Sequence, residues 1–265
     1  MKKLMYIFLL ICLIVSMLGC SKSDSSVVST DHLEPSNTVE IQNNITSEDA
    51  EKLPEHSQLY NPDYNQDEIL AYFEEVVLNM EYSDGTGDVT RVQKWLSPIY
   101  YNIYGSCTDD DLSKLYELFA QLNNIDGFPG IYPASDENLE NMSISFLEPN
   151  DFTNQFSNVV HGEDAFGATE FWYYTDTNEI HTARIGYRTD LDQVTRNSIL
   201  LEEIINSLGI SDSTLRTDSV VYQDSNDNFV LSDVDILILK LLYNTEIQCG
   251  MNYENCKEII ESQYY

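Results

Sequence analysis

Basic residues are scarce in this chain: 13 Lys and Arg stand against 45 Asp and Glu, a formal net charge of −32. Phosphate groups would be repelled by such a surface, which argues against nucleic acid and anionic surfaces as partners. The acids are scattered rather than blocked, as expected of a solvated acidic exterior. Histidine is also thin, with four residues, and His32 and His56 fall in a polar N-terminal tract. His161 lies in an acidic, glycine-containing stretch, and His181 sits between apolar neighbours in a strand pattern, where a lone imidazole reads as scaffold. There is no Cys-x-x-Cys, which argues against a thiolate metal site, and no Gly-x-Ser-x-Gly nucleophile elbow. Cys107 has no evident basic partner to activate it. No internal repeat is visible.

What is present begins with Lys2 and Lys3, an apolar run from Leu4 to Leu18, then Gly19-Cys20. The run is short for a spanning helix, and a small residue followed by cysteine suggests a cleavage point. The layout resembles a bacterial lipoprotein signal. That resemblance implies a signal peptide over 1–19, acylation of Cys20, and attachment to the extracytoplasmic face of a membrane. Ser21 to Gln58 contains no aromatic residue and too little apolar surface to offset ordering entropy. Residues 20–60 are therefore read as a flexible stalk and 61–265 as one folded domain. Beyond the signal, Cys107, Cys249 and Cys256 remain. One bridge at most can form among three, most simply Cys249–Cys256 across its short loop, and three free thiols are the alternative.

Within the domain, Asp67–Met80 carries a helical apolar stripe, and Ser83-Asp84-Gly85-Thr86-Gly87-Asp88 breaks it as a turn. Ser97–Gly105 reads as a strand and Asp109–Leu122 as a helix capped by the Thr108/Asp109/Asp110 cluster. Met142–Leu147 reads as a short strand followed by a long loop. Glu170–Tyr174 and Glu179–Arg188 form a hairpin. A capping box over Asp190 to Gln193 opens a helix running to Leu208, with Gly209 as its stop. Leu231–Tyr243 and Asn252–Ser262 read as two further helices. The fold class is α+β.

The helix ending at Gly209 carries the chemistry. Glu202-Glu203-x-x-Asn206-x-x-Gly209-x-x-Asp212 resembles the metzincin motif His-Glu-x-x-His-x-x-Gly-x-x-His with its three histidines replaced. Asp218-Ser219-Val220-Val221-Tyr222 is similar to the turn beneath a metzincin zinc, with Val221 in place of methionine. Leu231-Ser232-x-x-Asp235 through Leu242-Tyr243 is similar to the helix that follows that turn. The whole stretch also resembles an uncharacterised bacterial family of secreted and lipid-anchored proteins with a Glu-Glu-x-x-(Gln/Asn)-x-x-Gly core. Its other marks are Ala183-Arg184-Ile185-Gly186, Gly250-Met251, Arg91 to Trp95 and Pro98 to Gly105.

These resemblances imply a single zincin-like domain, a mixed sheet over an active-site-type helix, without catalytic zinc. An Asn oxygen is a weak neutral ligand, and a Glu–Asn–Asp set supplies too few oxygens for calcium; no cofactor or metal is expected. By helical periodicity Leu201, Ile204, Ile205 and Leu208 face the core, while Glu202, Glu203 and Asn206 form a polar arc. The first functional reading is a non-enzymatic binding module for a peptide or cell-wall partner, with Glu202, Asn206, Asp212 and Tyr222 lining the cleft. The second is a hydrolase without the usual zinc ligands, Glu203 acting as base beside Glu202 and Asp212. The third is a structural envelope protein.

Overall fold

The computed structural model describes residues 63–78, 91–159, 165–225 and 227–263. The signal, Cys20, the stalk, the turn at 83–88 and His161 lie outside the described residues. Chain contacts group Lys52–Tyr265 as one compact unit. Among the described residues no helix is long and apolar enough to cross a membrane.

The element order is α1 (Gln66–Phe73), β1 (Lys94–Trp95), β2 (Ile99–Gly105), α2 (Asp109–Leu122), β3 (Ile131–Pro133), β4 (Met142–Leu147), α3 (Pro149–Gln155), β5 (Gly167–Tyr173), β6 (Glu179–Arg188), α4 (Gln193–Asn206), α5 (Asp233–Leu242) and α6 (Tyr253–Gln263). A π-helical turn, Glu74–Leu78, extends α1, and a 3-10 turn covers Glu137–Leu139. The class is mixed α and β with a mostly parallel sheet. The main sheet runs β3-β2-β4-β6-β5, with β2, β3, β4 and β6 parallel and only β5 antiparallel. Trp95 of β1 pairs with Ile180, which also pairs with Tyr173 of β5, so β1 extends the β6 edge away from β5.

Period-two alternation divides the sheet into two unlike faces. Tyr101, Met142 and Ala183 are cross-strand partners, as are Ile144 with Ile185 and Phe146 with Tyr187, and all are buried. Gly167, Thr169 and Phe171 lie opposite Tyr187, Ile185 and Ala183 and so share this face, against which α2 and α4 pack. The reverse face carries Tyr100, Asn102 and Tyr104 of β2 with Ser143 and Ser145 of β4, and is covered at one end by α3 through Phe152 and Phe156.

Three sequence expectations need correction. The stretch after Leu147 is not all loop: Pro149 opens α3, its fixed φ suiting a first helical turn. The capping box predicted from Asp190 does not form; the Arg188 guanidinium engages Asp190, and a simple N-cap lies two residues on, where Asp192 accepts from the Thr195 N–H. The α1 stripe is also α-helical only to Phe73 before widening into the π turn.

Candidate functional site

Helix α4 is the axis of the domain. Ile199, Leu200, Leu201, Ile204, Ile205 and Leu208 are buried, which is more than one face of a helix. A buried helix must find partners for the carbonyls its last turn leaves free. Here they come from remote side chains. The Trp95 indole donates to the Ser207 carbonyl at 2.9 Å and the Tyr243 hydroxyl to Leu208 at 3.1 Å. Two carbonyls further inside the helix take an extra donor each: Thr169 of β5 donates its hydroxyl to the Glu203 carbonyl at 2.8 Å, beside the Ser207 N–H, and Tyr187 of β6 donates to Leu200 at 3.2 Å. Gly209 closes the helix at φ +94°, and a side chain there would drive into the Gln93 carbonyl. These anchors explain the isolated Trp95 and the Leu242-Tyr243 pair: both hold the end of α4 in place.

The polar arc behaves unlike the sequence expectation. Glu203 is 8% exposed, so it is an interior residue and not a solvated one. The reason is β5, which crosses above it. A Cβ built on Gly167 would sit 2.6 Å from Glu203 Oε1 and 2.5 Å from Ile199 Cγ2, so the carboxyl occupies room that only a glycine leaves. Burial raises the Glu203 carboxyl to about 8, with the nearby Asp212 charge adding to the rise and Thr169 opposing it. Glu202 retains partial exposure. Its carboxyl is also pushed well above the usual range, first by burial and then by Glu203 and Asp212. The Tyr187 phenol, fully enclosed, is raised by burial and by the charges of Glu203 and Glu202.

Asn206 and Asp212 lie together: the Asn206 amide donates to Asp212 Oδ1 at 2.9 Å. The Asn206 Oδ1 is buried and has no hydrogen-bond partner. Glu202, Glu203 and Asp212 share one electrostatic neighbourhood without sharing one focus. Among the described residues no three His, Cys, Asp or Glu side chains are arranged to hold a metal ion. Adjacent helical residues point about 100° apart, which aims Glu203 at β5 and Glu202 elsewhere.

Below this helix end the two downstream motifs form one unit. The Asp235 carboxylate accepts from the Ser219 hydroxyl at 2.5 Å and the Val220 N–H at 3.2 Å. It also takes the Ser232 N–H and hydroxyl, which caps α5. Tyr72 of α1 adds its hydroxyl to Ser219 at 2.7 Å. Tyr222 is half-buried and bridges Ser213, the residue after Asp212, through the backbone. The turn is therefore fastened beside Asp212 by a carboxylate 15 residues downstream of Val220.

The thiols of Cys107, Cys249 and Cys256 are all free, so the Cys249–Cys256 pairing is not formed. Cys249 instead lies against the Lys94 carbonyl and Cys256 is buried in the core. His181 stacks on Tyr174 with ring centroids 4.3 Å apart, in keeping with a scaffold role. Sequence reasoning missed Gly167, Thr169, Tyr187 and Lys94. Lys94 is buried, gives its ammonium to the carbonyls of Leu242, Asn244 and Ile247, and is lowered to about 8 by burial.

Residues 66–262 match the model of a family described as a protein of unknown function, DUF2927, and the chain belongs to that family. The family resemblance read from the sequence is thus borne out at that level. No curated protein matches the chain.

Proposed function

We propose that this domain is a zincin-like binding module that takes an extended peptide along β5 and does no zinc chemistry. One observation carries the reading: β5 is an edge strand whose inward residues, Gly167 and Thr169, lie directly on Glu203 and its carbonyl. Among the described residues β5 pairs only with β6. An added strand would complete the sheet by main-chain hydrogen bonds while alternate side chains descend toward α4. The zincin layout is supported by the mixed sheet above the motif helix and by the Ser219 turn tied to Asp235. The donor set at 202, 206 and 212 offers an amide and carboxylates where zinc prefers imidazole. The lipid anchor at Cys20 would hold the module at the outer face of the membrane, with the stalk giving reach.

The test is binding of short β-prone peptides to the purified full chain, followed by intrinsic Trp and Tyr fluorescence. Saturable binding that a Thr169→Pro variant loses supports the reading; absence of binding by any extended peptide overturns it. Radiolabelled palmitate incorporation, lost on Cys20→Ala, tests the anchor.

A second reading is favoured by the crowding of Glu203 with Asp212. A carboxyl raised by burial beside a second carboxyl is raw material for acid–base catalysis. A group at about 8 holds its proton at neutral pH, so Glu203 would serve as an acid before it served as a base. Peptide hydrolysis abolished by Glu203→Gln would establish that reading.

A further inference from the structure

The reverse face of the sheet carries one continuous row of residues across β3, β2, β4, β6 and β5. Tyr132 of β3 pairs with Tyr100 of β2, whose backbone exchanges hydrogen bonds with Asn141, just before β4. Asn141 in turn accepts the Ala183 N–H, which sets it beside Thr182 of β6, and Thr182 pairs with Trp172 of β5. Both ends of the row are aromatic, exposed and braced. Tyr132 is 47% exposed, its ring lying over Gly130, where a Cβ would stand 2.5 Å from it. Trp172 is 44% exposed and is backed by the Arg184 guanidinium, 5.8 Å from a ring centroid and held by Glu170. Tyr100 adds a further ring, with its centroid 6.4 Å from that of Tyr132. Beside the row the floor is polar. Asn102 and Ser143 form a register pair there, and the Glu140 carboxylate accepts from the Asn102 amide and the Tyr104 hydroxyl. Among the described residues the hydroxyls of Tyr100, Tyr132 and Ser143 make no hydrogen bond.

We propose that this face binds a neutral glycan chain laid across the strands from Tyr132 to Trp172. The site is separate from the β5 edge and does not depend on the peptide reading. Charge complementarity selects the occupant. Arg184 is neutralised by Glu170, and Glu140 adds a negative charge to a chain already at −32. Anionic polymers, anionic lipid surfaces and a second copy of this chain are all repelled. The backbone groups of these strands are spent in the ladder, so side chains must supply the hydrogen bonds to a ligand. An extended peptide lying flat here would leave its own backbone without partners. A β-linked pyranose chain carries C–H groups on its ring faces and hydroxyls at its rim. The faces suit the flat aromatic rings, and the rim suits an amide, hydroxyls and a carboxylate that accepts strongly. The span sets the length: β3 and β5 stand four strand spacings apart, about 19 Å, which exceeds a disaccharide and suits a tetrasaccharide.

The experiment is titration of the full chain with cellotetraose and with chitotetraose, followed by calorimetry and tryptophan fluorescence. Trp95 is 1% exposed, so a change in emission reports Trp172. Saturable binding of either tetrasaccharide is expected, roughly tenfold tighter than that of the matching disaccharide. Carboxymethylated cellotetraose, the acidic counterpart, should bind more weakly than its parent. Tyr132→Ala and Trp172→Ala should each weaken binding by about tenfold, and Trp172→Phe should retain most of it. Tyr116→Ala, which removes an exposed ring from α2, should leave binding intact. Failure of both tetrasaccharides to bind overturns the proposal, as does binding that persists undiminished in folded Tyr132→Ala and Trp172→Ala variants. A disaccharide that binds as tightly as its tetrasaccharide overturns the span between the two rings. Tighter binding of the carboxymethylated chain overturns the neutral class of ligand.

Discussion

Helix α4 carries two buried charged centres, one in its first turn and one in its last, and they are built on opposite principles. At the start, Arg196 donates to Asp111 of α2 at 2.8 Å, and both are almost fully enclosed. Gln193 and Thr108 fill the remaining positions around the Asp111 carboxylate. Burial alone would raise that carboxyl, but hydrogen bonds from Thr108, Gln193 and Arg196 hold it below its usual value. At the other end Glu203 rises to about 8 and Asn206 keeps a bare oxygen. The same helix in the same core thus satisfies one charge completely and leaves another exposed to its neighbours' repulsion. The first arrangement locks α2 to α4; the second leaves the Asn206 oxygen without a donor and the Glu203 carboxyl favouring its neutral form.

The sharpest way to break the comparison is at the satisfied end. Asp111→Ala removes the carboxylate and strands the Arg196 guanidinium in the interior. Losing one partner of a buried pair costs on the order of 3–5 kcal/mol, to be read as a lowered urea midpoint. The corresponding removal at the other end, Glu203→Gln, should stabilise the fold at neutral pH and above. If both substitutions destabilise equally, the contrast between the two centres is wrong.

Gly167→Ala tests the contact that creates the unsatisfied end. The new methyl meets Glu203 Cγ at 2.7 Å and Ile199 Cγ2 at 2.5 Å, inside contact distance. Overpacking of this kind costs about 1–3 kcal/mol, and β5 must lift to relieve it. Amide exchange should then quicken in β5 residues more than in β4. Equal protection in the variant and the parent would show that Glu203 moves aside freely.

Glu203→Gln has a smaller effect with a definite sign. In the unfolded chain the carboxyl titrates near 4.5, whereas in the folded protein it titrates near 8. Between those values the folded state binds a proton that the unfolded state has released, so stability falls as pH rises. The loss begins above about pH 4.5 and is complete above about pH 8. The Gln variant lacks this slope and should exceed the parent on the order of 1–2 kcal/mol at pH 8.5, with no advantage at pH 4. Thermal unfolding across pH 4–9 measures both curves, and parallel profiles would refute the assignment.

Much of the frame was legible in the sequence because it rests on local pattern. The capped helix at 109–122, the strand at 142–147 and the 179–188 strand of the hairpin follow from the Thr108/Asp109/Asp110 cluster and from alternating apolar residues, while the role of Asp111 in the cap shows only in the fold. Asn206 and Asp212 were singled out as cleft candidates from the motif spacing, but their hydrogen bond to each other is seen only in the fold. What stayed hidden depends on partners far along the chain. Strands β1 and β3 have two and three residues, too few to show a period. Glu203 lies on the polar arc by its own helix's pattern, and only β5, more than thirty residues upstream, makes it interior. Gly167 gave no signal of its own, since its meaning lies in the clearance it leaves and not in a turn.

Thr169→Val gives the finest test, because it touches the boundary between the two designs. Its hydroxyl reaches the Glu203 carbonyl at 2.8 Å and pulls the carboxyl's pKa down. The carbonyl also accepts the Ser207 N–H at 3.1 Å, so the lost hydrogen bond leaves no bare acceptor. The expected cost is therefore small, about 0.5–1 kcal/mol. The informative change lies in titration. Without the hydroxyl, burial acts on Glu203 with less opposition, and its midpoint should move above that of the parent. Carbon-13 NMR of labelled glutamate carboxyls would follow that midpoint directly, and an unchanged midpoint would mean that Thr169 serves only the helix backbone and has no part in setting the acid.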